Sequence, residues 1–500
     1  MIRDEELAAL LRAAPWMSED GRKADRYERV DHAVLGSAVV LLVVAAVGGP
    51  AAGRRFFVPV EIGGGRYEGG GPREAHAVEE FHTEAVRRTL AGGTLRTERG
   101  GAVEFRGAGG APAGSLPEVR PLPFEQGWSS NALSLVEIGG VPHIHKTYRG
   151  LDDDVREPDL LRLMNGTGRT PEWAGDYAYT DPASGTRHPL GVVYRYAPGE
   201  GIDVPLRQNL RSLWPALSRL LAHGAPEAVA RHHLRPLEGQ LRDAGRFLRG
   251  FHADLADRLG DGSPQPAYPA GERLAQAERR LADLHDRTTA DPALPARTVR
   301  DAFTSLAAEV AQLHAELDRS GPSWSGGGPC HGDLHLSHLL WNPPALIDLS
   351  TPSTAPTAPG WAAQSPLEDI VALQRGLEYF AADEAAFEAA NRLGVESLET
   401  MLGSLDAAPH LSPAQQAEIR RVFEVADRWR DRVRELLLGP GPASDEPLRR
   451  LLYLRRLLHE LAYNHAHTRP YHAAIDLRHA LRLGGGGSGA HRDSEDVRPC

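Results

Sequence analysis

The spacing of apolar residues changes once along this chain, near residue 200, and that change limits the folds open to it. Before it, apolar residues alternate or run in short β-branched blocks, as in AVLGSAVVLLVVAAV, RRFFVPVEI, SLVEIGGVPHIHKTY and HPLGVVYRY. From about 205 they recur at i, i+3, i+4 and i+7, as in LRDAGRFLRGFHADLADRL and RTVRDAFTSLAAEVAQLHAEL. The first pattern makes strands and the second amphipathic helices. A stretch at 330–350 breaks the helical run with strands and turns. The plan is α+β, a β-rich first part before a larger helical one. At 500 residues the chain has room for two or three domains.

Glycine marks the finer divisions. A short N-terminal helix and strands reach residue 62, and glycine-rich patches follow at 63–71 and 100–114. Between them AHAVEEFHTEAVRRTLAGG reads as a helix stopped by Gly92 and Gly93. The second patch is taken as a boundary, giving a cap subdomain at 1–115 and an N-lobe at 116–200. In the N-lobe, Ile138 and Val141 flank a Gly139-Gly140 turn in one hairpin. EPDLLRLM reads as a helix, and GDYAYT to VVYRY as a second hairpin. The helical part spans 201–483, and the polar, glycine-rich tail 484–500 is expected to be disordered.

Composition removes several function classes. A net charge of −11 argues against a nucleic-acid binder, while leaving a nucleotide site open. The two cysteines, Cys330 and Cys500, do not suggest a disulfide framework. The longest apolar run, Ala38 to Val47, is too short to span a bilayer and reads as a buried strand. The charged N-terminus lacks the apolar core of a signal peptide, so a cytoplasmic protein without a membrane role is expected. Lysine and arginine total 56, yet only Lys23 and Lys146 are lysine. Codon bias accounts for most of that. A chain so rich in arginine also keeps lysine where a compact ammonium is needed.

The chemistry concentrates in Cys330-His331-Gly332-Asp333-Leu334-His335-Leu336-Ser337-His338, followed by a hairpin about Asn342-Pro343-Pro344 that leads to Asp348. Kinases carry a histidine, any residue, an aspartate and a leucine, then a metal-binding asparagine four further on. His331, Asp333, Leu334 and His338 stand at that spacing, with His338 in the asparagine place. Phosphoryl transfer needs a carboxylate beside the attacking hydroxyl and magnesium on the phosphate oxygens. Asp333 is the candidate base, and Asp348 and His338 are the candidate magnesium ligands. Three histidines around Asp333 also admit a zinc hydrolase site. That reading lacks an H-E-x-x-H spacing and leaves Lys146 unexplained.

Lys146 lies in a strand after a glycine-containing loop, where kinases place the lysine for the ATP phosphates and pair it to a helix glutamate. Glu157 is that candidate partner, or equally a first-turn charge favouring the helix dipole. In the loop 125–131, Ser129, Ser130 and Asn131 would offer hydrogen bonds to phosphate. Arg195-Tyr196-Ala197 closes the second hairpin and is a candidate adenine-binding hinge, or simply a linker.

HGDLHLSHLLW…ALID resembles the signature of aminoglycoside phosphotransferases and choline kinases, and more closely that of maltokinases. Further segments resemble maltokinases in order: Glu125 to Asn131, His145 to Arg149, Ser365 to Ala372, and Tyr463 with Arg469-Pro470. The resemblance covers most of 120–480. It implies a bilobal fold like that of eukaryotic protein kinases, with a β-rich N-terminal cap and N-lobe and a mostly helical C-lobe. Within this group the chain is similar to glucosamine kinases. His338 departs from the usual amide, and Asp348-Leu349-Ser350 departs from the D-F-E of maltokinases.

The acceptor side is read from fewer signs. His335 is either a substrate contact or a loop brace, and His331 a brace. Ser365, Pro366 and Glu368 spell a capping box, which accounts for Glu368 and leaves Asp369 to face the acceptor. Glu460, Tyr463, Asn464 and His467 share one helix face, either solvated or in contact with sugar, as the resemblance implies. The resulting expectation is a kinase using ATP and Mg2+ on a sugar or amino sugar, with glucosamine first and maltose or an aminoglycoside behind it. A non-catalytic nucleotide-binding protein is the outside reading, disfavoured because Asp333, Asp348 and Lys146 are all present.

Overall fold

The computed structural model describes residues 2–61, 72–109, 116–126, 131–151, 155–259, 267–349, 364–395 and 411–483. The expected tail, 484–500, lies outside them. The chain divides into two compact units, one of residues 1–200 with 340–351, the other of 201–339 with 352–500.

The first unit opens with helices α1 (Asp4–Ala13) and α2 (Glu19–Arg22). Strands β1 (Arg26–Leu35), β2 (Val39–Val47) and β3 (Arg55–Glu61) then form a three-stranded antiparallel sheet in that order. The apolar run seen in the sequence is β2, and both of its faces are covered. Val40, Leu42, Val44 and Ala46 pack with Leu7 and Leu11 of α1. Val39, Leu41 and Val43 pack with Phe81, Val103, Phe105, Tyr177 and Tyr179. A strand buried on two sides needs no polar alternation, which is why the run is continuous.

Helix α3 (Glu79–Ala91) follows, and Gly92 ends it at φ 73°. Next come β4 (Gly93–Arg96), β5 (Ala102–Gly107), β6 (Val119–Leu122), β7 (Ala132–Ile138), β8 (Val141–Thr147), helix α4 (Glu157–Met164), β9 (Trp173–Thr180) and β10 (Arg187–Arg195). The strands make one antiparallel sheet of order β4-β5-β9-β10-β8-β7-β6. Both expected hairpins are present, β7–β8 with Ile138 opposite Val141, and β9–β10. The boundary expected within 100–114 does not separate two bodies. β5, on the cap side of it, pairs directly with β9 of the N-lobe, so one sheet runs through both. Strands β11 (Leu339–Trp341) and β12 (Pro344–Leu346) form the small hairpin expected before Asp348.

The second unit is helical: α5 (Asp203–Leu213), α6 (Leu217–Leu221), α7 (Pro226–Leu234), α8 (Glu238–Leu259), α9 (Ala270–Thr289), α10 (Ala296–Ser320), α11 (Pro366–Leu393), α12 (Pro413–Leu438), α13 (Glu446–Ala466) and α14 (Pro470–Ala480). Leu274, Leu306, Leu313, Leu451, Leu454, Leu458, Leu461 and Leu477 build its main core from α9, α10, α13 and α14. Among the described residues, no helix is long and apolar enough to cross a membrane.

Candidate active site

In the first unit, β8 carries Lys146 inward. Its Nζ lies 2.6 Å from Oε2 of Glu157, the first residue of α4, and 2.5 Å from Oδ1 of Asp348. Tyr148 Oη donates to the same Glu157 oxygen at 2.7 Å. Lys146 and Glu157 are both buried. Burial works against the ammonium, but Glu157 and then Asp348 outweigh it and hold the Lys146 pKa above the ordinary lysine range. The helix-dipole role weighed for Glu157 is secondary to this ion pair.

Asp348 follows β12 in the left-handed region at φ 57°, where a non-glycine residue costs about 1–3 kcal/mol. Its side chain stays 39% exposed, so a half-open carboxylate stands beside a sealed lysine. Among the described residues, no group of three or more His, Cys, Asp or Glu stands ready for a metal. A single hard oxygen donor of this kind suits magnesium, which takes most of its ligands from water and phosphate.

Ser129 and Ser130 lie outside the described residues. At the foot of their loop, Gln126 Nε2 donates to the Asn131 carbonyl at 2.7 Å, and Gln126 Oε1 accepts from the Leu133 N–H at 2.9 Å. Gln126 therefore ties its own segment to the start of β7. At the expected hinge, the Arg195 N–H donates to the Glu172 carbonyl at 2.8 Å and the Tyr196 N–H to the Pro142 carbonyl at 2.9 Å. These two donors serve the sheet.

In the second unit, the loop bearing Asp333 is pinned from α11. Asp369 is fully buried. Its Oδ2 accepts the His331 N–H at 2.8 Å and Oδ1 the Gly332 N–H at 2.9 Å, while His252 Nε2 of α8 lies 2.8 Å from Oδ2. Burial favours the neutral acid, but His252, His331 and the Gly332 N–H outweigh it and hold the Asp369 carboxyl below its usual range. Asp369, expected to face an acceptor, is instead a brace of the loop. Gly332 sits at φ 93°, a conformation suited to glycine.

Asp333 itself is half-buried. His335 Nε2 lies 3.2 Å from its Oδ1, and Arg456 Nη1 of α13 lies 4.0 Å away. Burial raises its pKa, but His335, Arg456 and His338 together hold it below the ordinary aspartate value. His338 Nδ1 lies 3.1 Å from the Asp333 carbonyl, which can only accept. That assigns the Nδ1–H tautomer to the neutral ring and puts the lone pair on Nε2. The ring of His338 stacks on His331 and meets His335 edge-on, with centroids 5.7 and 5.0 Å apart.

On α13, Glu460 accepts from Arg375 Nε and Arg456 Nε, both at 2.7 Å. Asn464 is buried and donates to Tyr379 Oη at 3.1 Å and Asp476 Oδ2 at 2.9 Å. Both residues are tied into a polar knot around fully buried Arg375, which also binds Glu378 and Asp476. Tyr463 alone of the expected acceptor trio faces outward, 44% exposed and stacked on His467 at 3.9 Å. Sequence reasoning missed Arg456, although its i,i+4 spacing from Glu460 is a readable ion-pair signal.

The capping box also forms only in half. Ser365 Oγ accepts the Leu367 N–H at 3.2 Å, and Glu368 uses its own N–H on the Ser365 carbonyl at 2.9 Å. The Glu368 carboxylate does not return to the helix start, and both of its oxygens are buried without a hydrogen-bond partner.

Residues 178–358, which include Asp333, His338 and Asp348, match the model of APH, the phosphotransferase enzyme family. The whole chain resembles a solved glucosamine kinase in a second crystal form at 18% identity and a TM-score of 0.53, over 95% of this chain and 99% of that one. A glucosamine kinase solved with glucosamine, ADP and inorganic phosphate gives 17% identity and a TM-score of 0.51 over the same shares. A thermostable mutant of the aminoglycoside phosphotransferase APH(4)-Ia, with ADP and hygromycin B, gives 13% identity and a TM-score of 0.33 over 75% of this chain and 96% of that one. The glucosamine kinase likeness shows the fold, a kinase-like α+β arrangement of antiparallel sheet and helical region. The segment that matches the phosphotransferase model lies within it.

Proposed function

We propose that this protein is an ATP-dependent small-molecule kinase that phosphorylates a sugar hydroxyl, glucosamine to glucosamine 6-phosphate first among candidates. The observation that carries the kinase reading is Lys146 clamped between Glu157 and Asp348, within the same fold as the braced Asp333 loop. A buried, permanently charged lysine suits the α- and β-phosphates of ATP. Asn131, with Ser129 and Ser130, would complete the phosphate loop, and the carbonyls of Arg195 to Ala197 would receive adenine.

Asp333 would accept the proton of the acceptor hydroxyl as its oxygen bonds to the γ-phosphorus and the bond to the ADP oxygen breaks. The lowered pKa keeps Asp333 ionised at neutral pH, ready to orient that hydroxyl. Asp348 would hold magnesium, with His338 as the second candidate ligand. The metal when bound would offset charge on the phosphate oxygens. His335, 3.2 Å from the base, would touch the same hydroxyl.

The amino-sugar acceptor is supported by the likeness to glucosamine kinase along nearly the whole chain. One observation favours a neutral sugar such as maltose instead. Asp369 and Glu460, the carboxylates expected for an amine, are already held by the loop and by two arginines. A screen with ATP and magnesium against glucosamine, glucose, N-acetylglucosamine, maltose and an aminoglycoside separates these. The highest kcat/KM on glucosamine is expected. A higher value on maltose makes this a maltokinase, transfer to the aminoglycoside alone an antibiotic kinase, and transfer to none removes the kinase reading.

A further inference from the structure

Beneath the Asp333 loop lies a small cavity lined by Gly332, Glu368, Val371, Leu452, Arg455 and Arg456, with a volume of about 20 Å3. A water needs about 10–15 Å3 measured this way and two to four polar partners. The cavity meets both conditions. Glu368 brings two carboxylate oxygens that no protein group satisfies, and the two arginines bring donors from α13.

A sealed, unsatisfied carboxylate is costly, so its persistence beside the candidate base needs a reason. Arg456 supplies the link, because the guanidinium that lines this cavity also reaches to within 4.0 Å of Asp333. We propose that Glu368 is a positioning residue of the phosphoryl-transfer site: through a water in this cavity it holds Arg455 and Arg456, and its charge sets how strongly Arg456 draws on Asp333. The proposal rests on the reading of Asp333 as the base.

The groups facing Glu368 are Arg455 and Arg456 from α13, Arg273 from α9, and Asp369 on its own helix, itself bound to His252 of α8 and to the loop backbone. Arg455 is further tied to Tyr268 Oη. Burial pushes the Glu368 carboxyl up to about 7, with Asp369 adding to the rise and the arginines opposing it. When Glu368 is neutral, Arg456 answers mainly to Glu460 and weakens Asp333 as a base. When Glu368 ionises, it shares the guanidinium charge, and Asp333 becomes more basic. Turnover therefore rises as pH passes through neutrality, with the proton released to solvent.

Two measurements test this. The first is the pH profile of kcat for wild type and Glu368→Gln. The glutamine variant should lose the near-neutral rise, with kcat above that rise lower by roughly tenfold to a hundredfold and the KM for ATP unchanged. A rise that survives in Glu368→Gln overturns the proposal. If that variant fails to fold, Arg456→Gln replaces it, since cutting the link must also abolish the rise, and a rise that survives there overturns the proposal equally. The second is infrared difference spectroscopy, which needs no acceptor. A buried carboxylic-acid band present in wild type at pH 6 and missing from Glu368→Gln should disappear by pH 8, while buried Asp476, also pushed up to about 7, contributes to both proteins and cancels in their difference. If wild type transfers no phosphate, the kinase reading has failed while the infrared titration still reports on Glu368. Absence of the band in wild type overturns the role given to Glu368.

Discussion

Lys146 Nζ stands 2.5 Å from Asp348 Oδ1, so one half-exposed carboxylate, the proposed magnesium ligand, also answers to an ammonium. Glu157 is the second anchor of that lysine and has no comparable exposure. Removing the ammonium leaves Glu157 buried without its cation. Lys146→Met should therefore lower unfolding free energy by about 3–5 kcal/mol, read by urea denaturation. Lys146→Arg keeps the charge but replaces a point-like ammonium with a planar fork, and kcat should fall roughly tenfold or more. Unchanged stability in the first and unchanged kinetics in the second would make the clamp incidental.

Asp333→Asn should leave the fold and ATP binding intact while cutting turnover by about 10²–10⁴-fold, the usual worth of a positioned acid–base group. Circular dichroism and nucleotide titration establish the first part, and steady-state kinetics the second. Turnover near wild type would remove Asp333 from the base role.

Asp369→Asn should act on stability, because the carboxylate receives two backbone N–H groups and His252 inside the protein. Its pKa in the fold lies below the unfolded value of about 3.9. The stabilisation is therefore present above that unfolded value and fades as pH falls through the folded one. Near pH 7 the variant should be less stable by about 1.5–3 kcal/mol, the worth of hydrogen bonds to a charged group. The gap should narrow below about pH 4. A gap constant with pH would show that the charge on Asp369 contributes nothing.

His338→Asn and His338→Gln should retain activity but shift the preference between magnesium and manganese, since imidazole suits the softer ion. The Nδ1 contact to the Asp333 carbonyl puts the lone pair of the neutral ring on Nε2, the atom that would meet a metal. Metal titrations that coincide for wild type and both variants would take His338 out of the coordination sphere.

The local features of this chain were legible, and the long-range ones were not. The β7–β8 hairpin follows from alternating side chains around Gly139-Gly140, and Lys146 in β8 from the same register. Glu157 follows from the helix that opens just downstream. The roles of Asp369 and Glu460 were hidden because their partners arrive from elsewhere in the chain. Arg375, which occupies Glu460, lies 85 residues away. A spare-looking carboxylate in a sequence carries no sign of such a partner. Glu368 misled in the opposite direction. Its spacing from Ser365 spells a capping box, but its side chain turns into a cavity. Ser129 and Ser130 lie outside the described residues.

The pairing of β5 with β9 has a consequence for anyone who shortens this protein. A chain begun at residue 116 would lose β4 and β5 and present β9 as a bare row of unpaired N–H and C=O groups, flanked by the uncovered side chains of Tyr177 and Tyr179. Such an edge is a template for joining other copies. The family-matched segment is worse still as a starting point, because its first residue, 178, falls inside β9. The chain up to the end of β5 therefore acts as a built-in guard against self-association, and trimming it is expected to yield aggregate in place of a smaller folded protein.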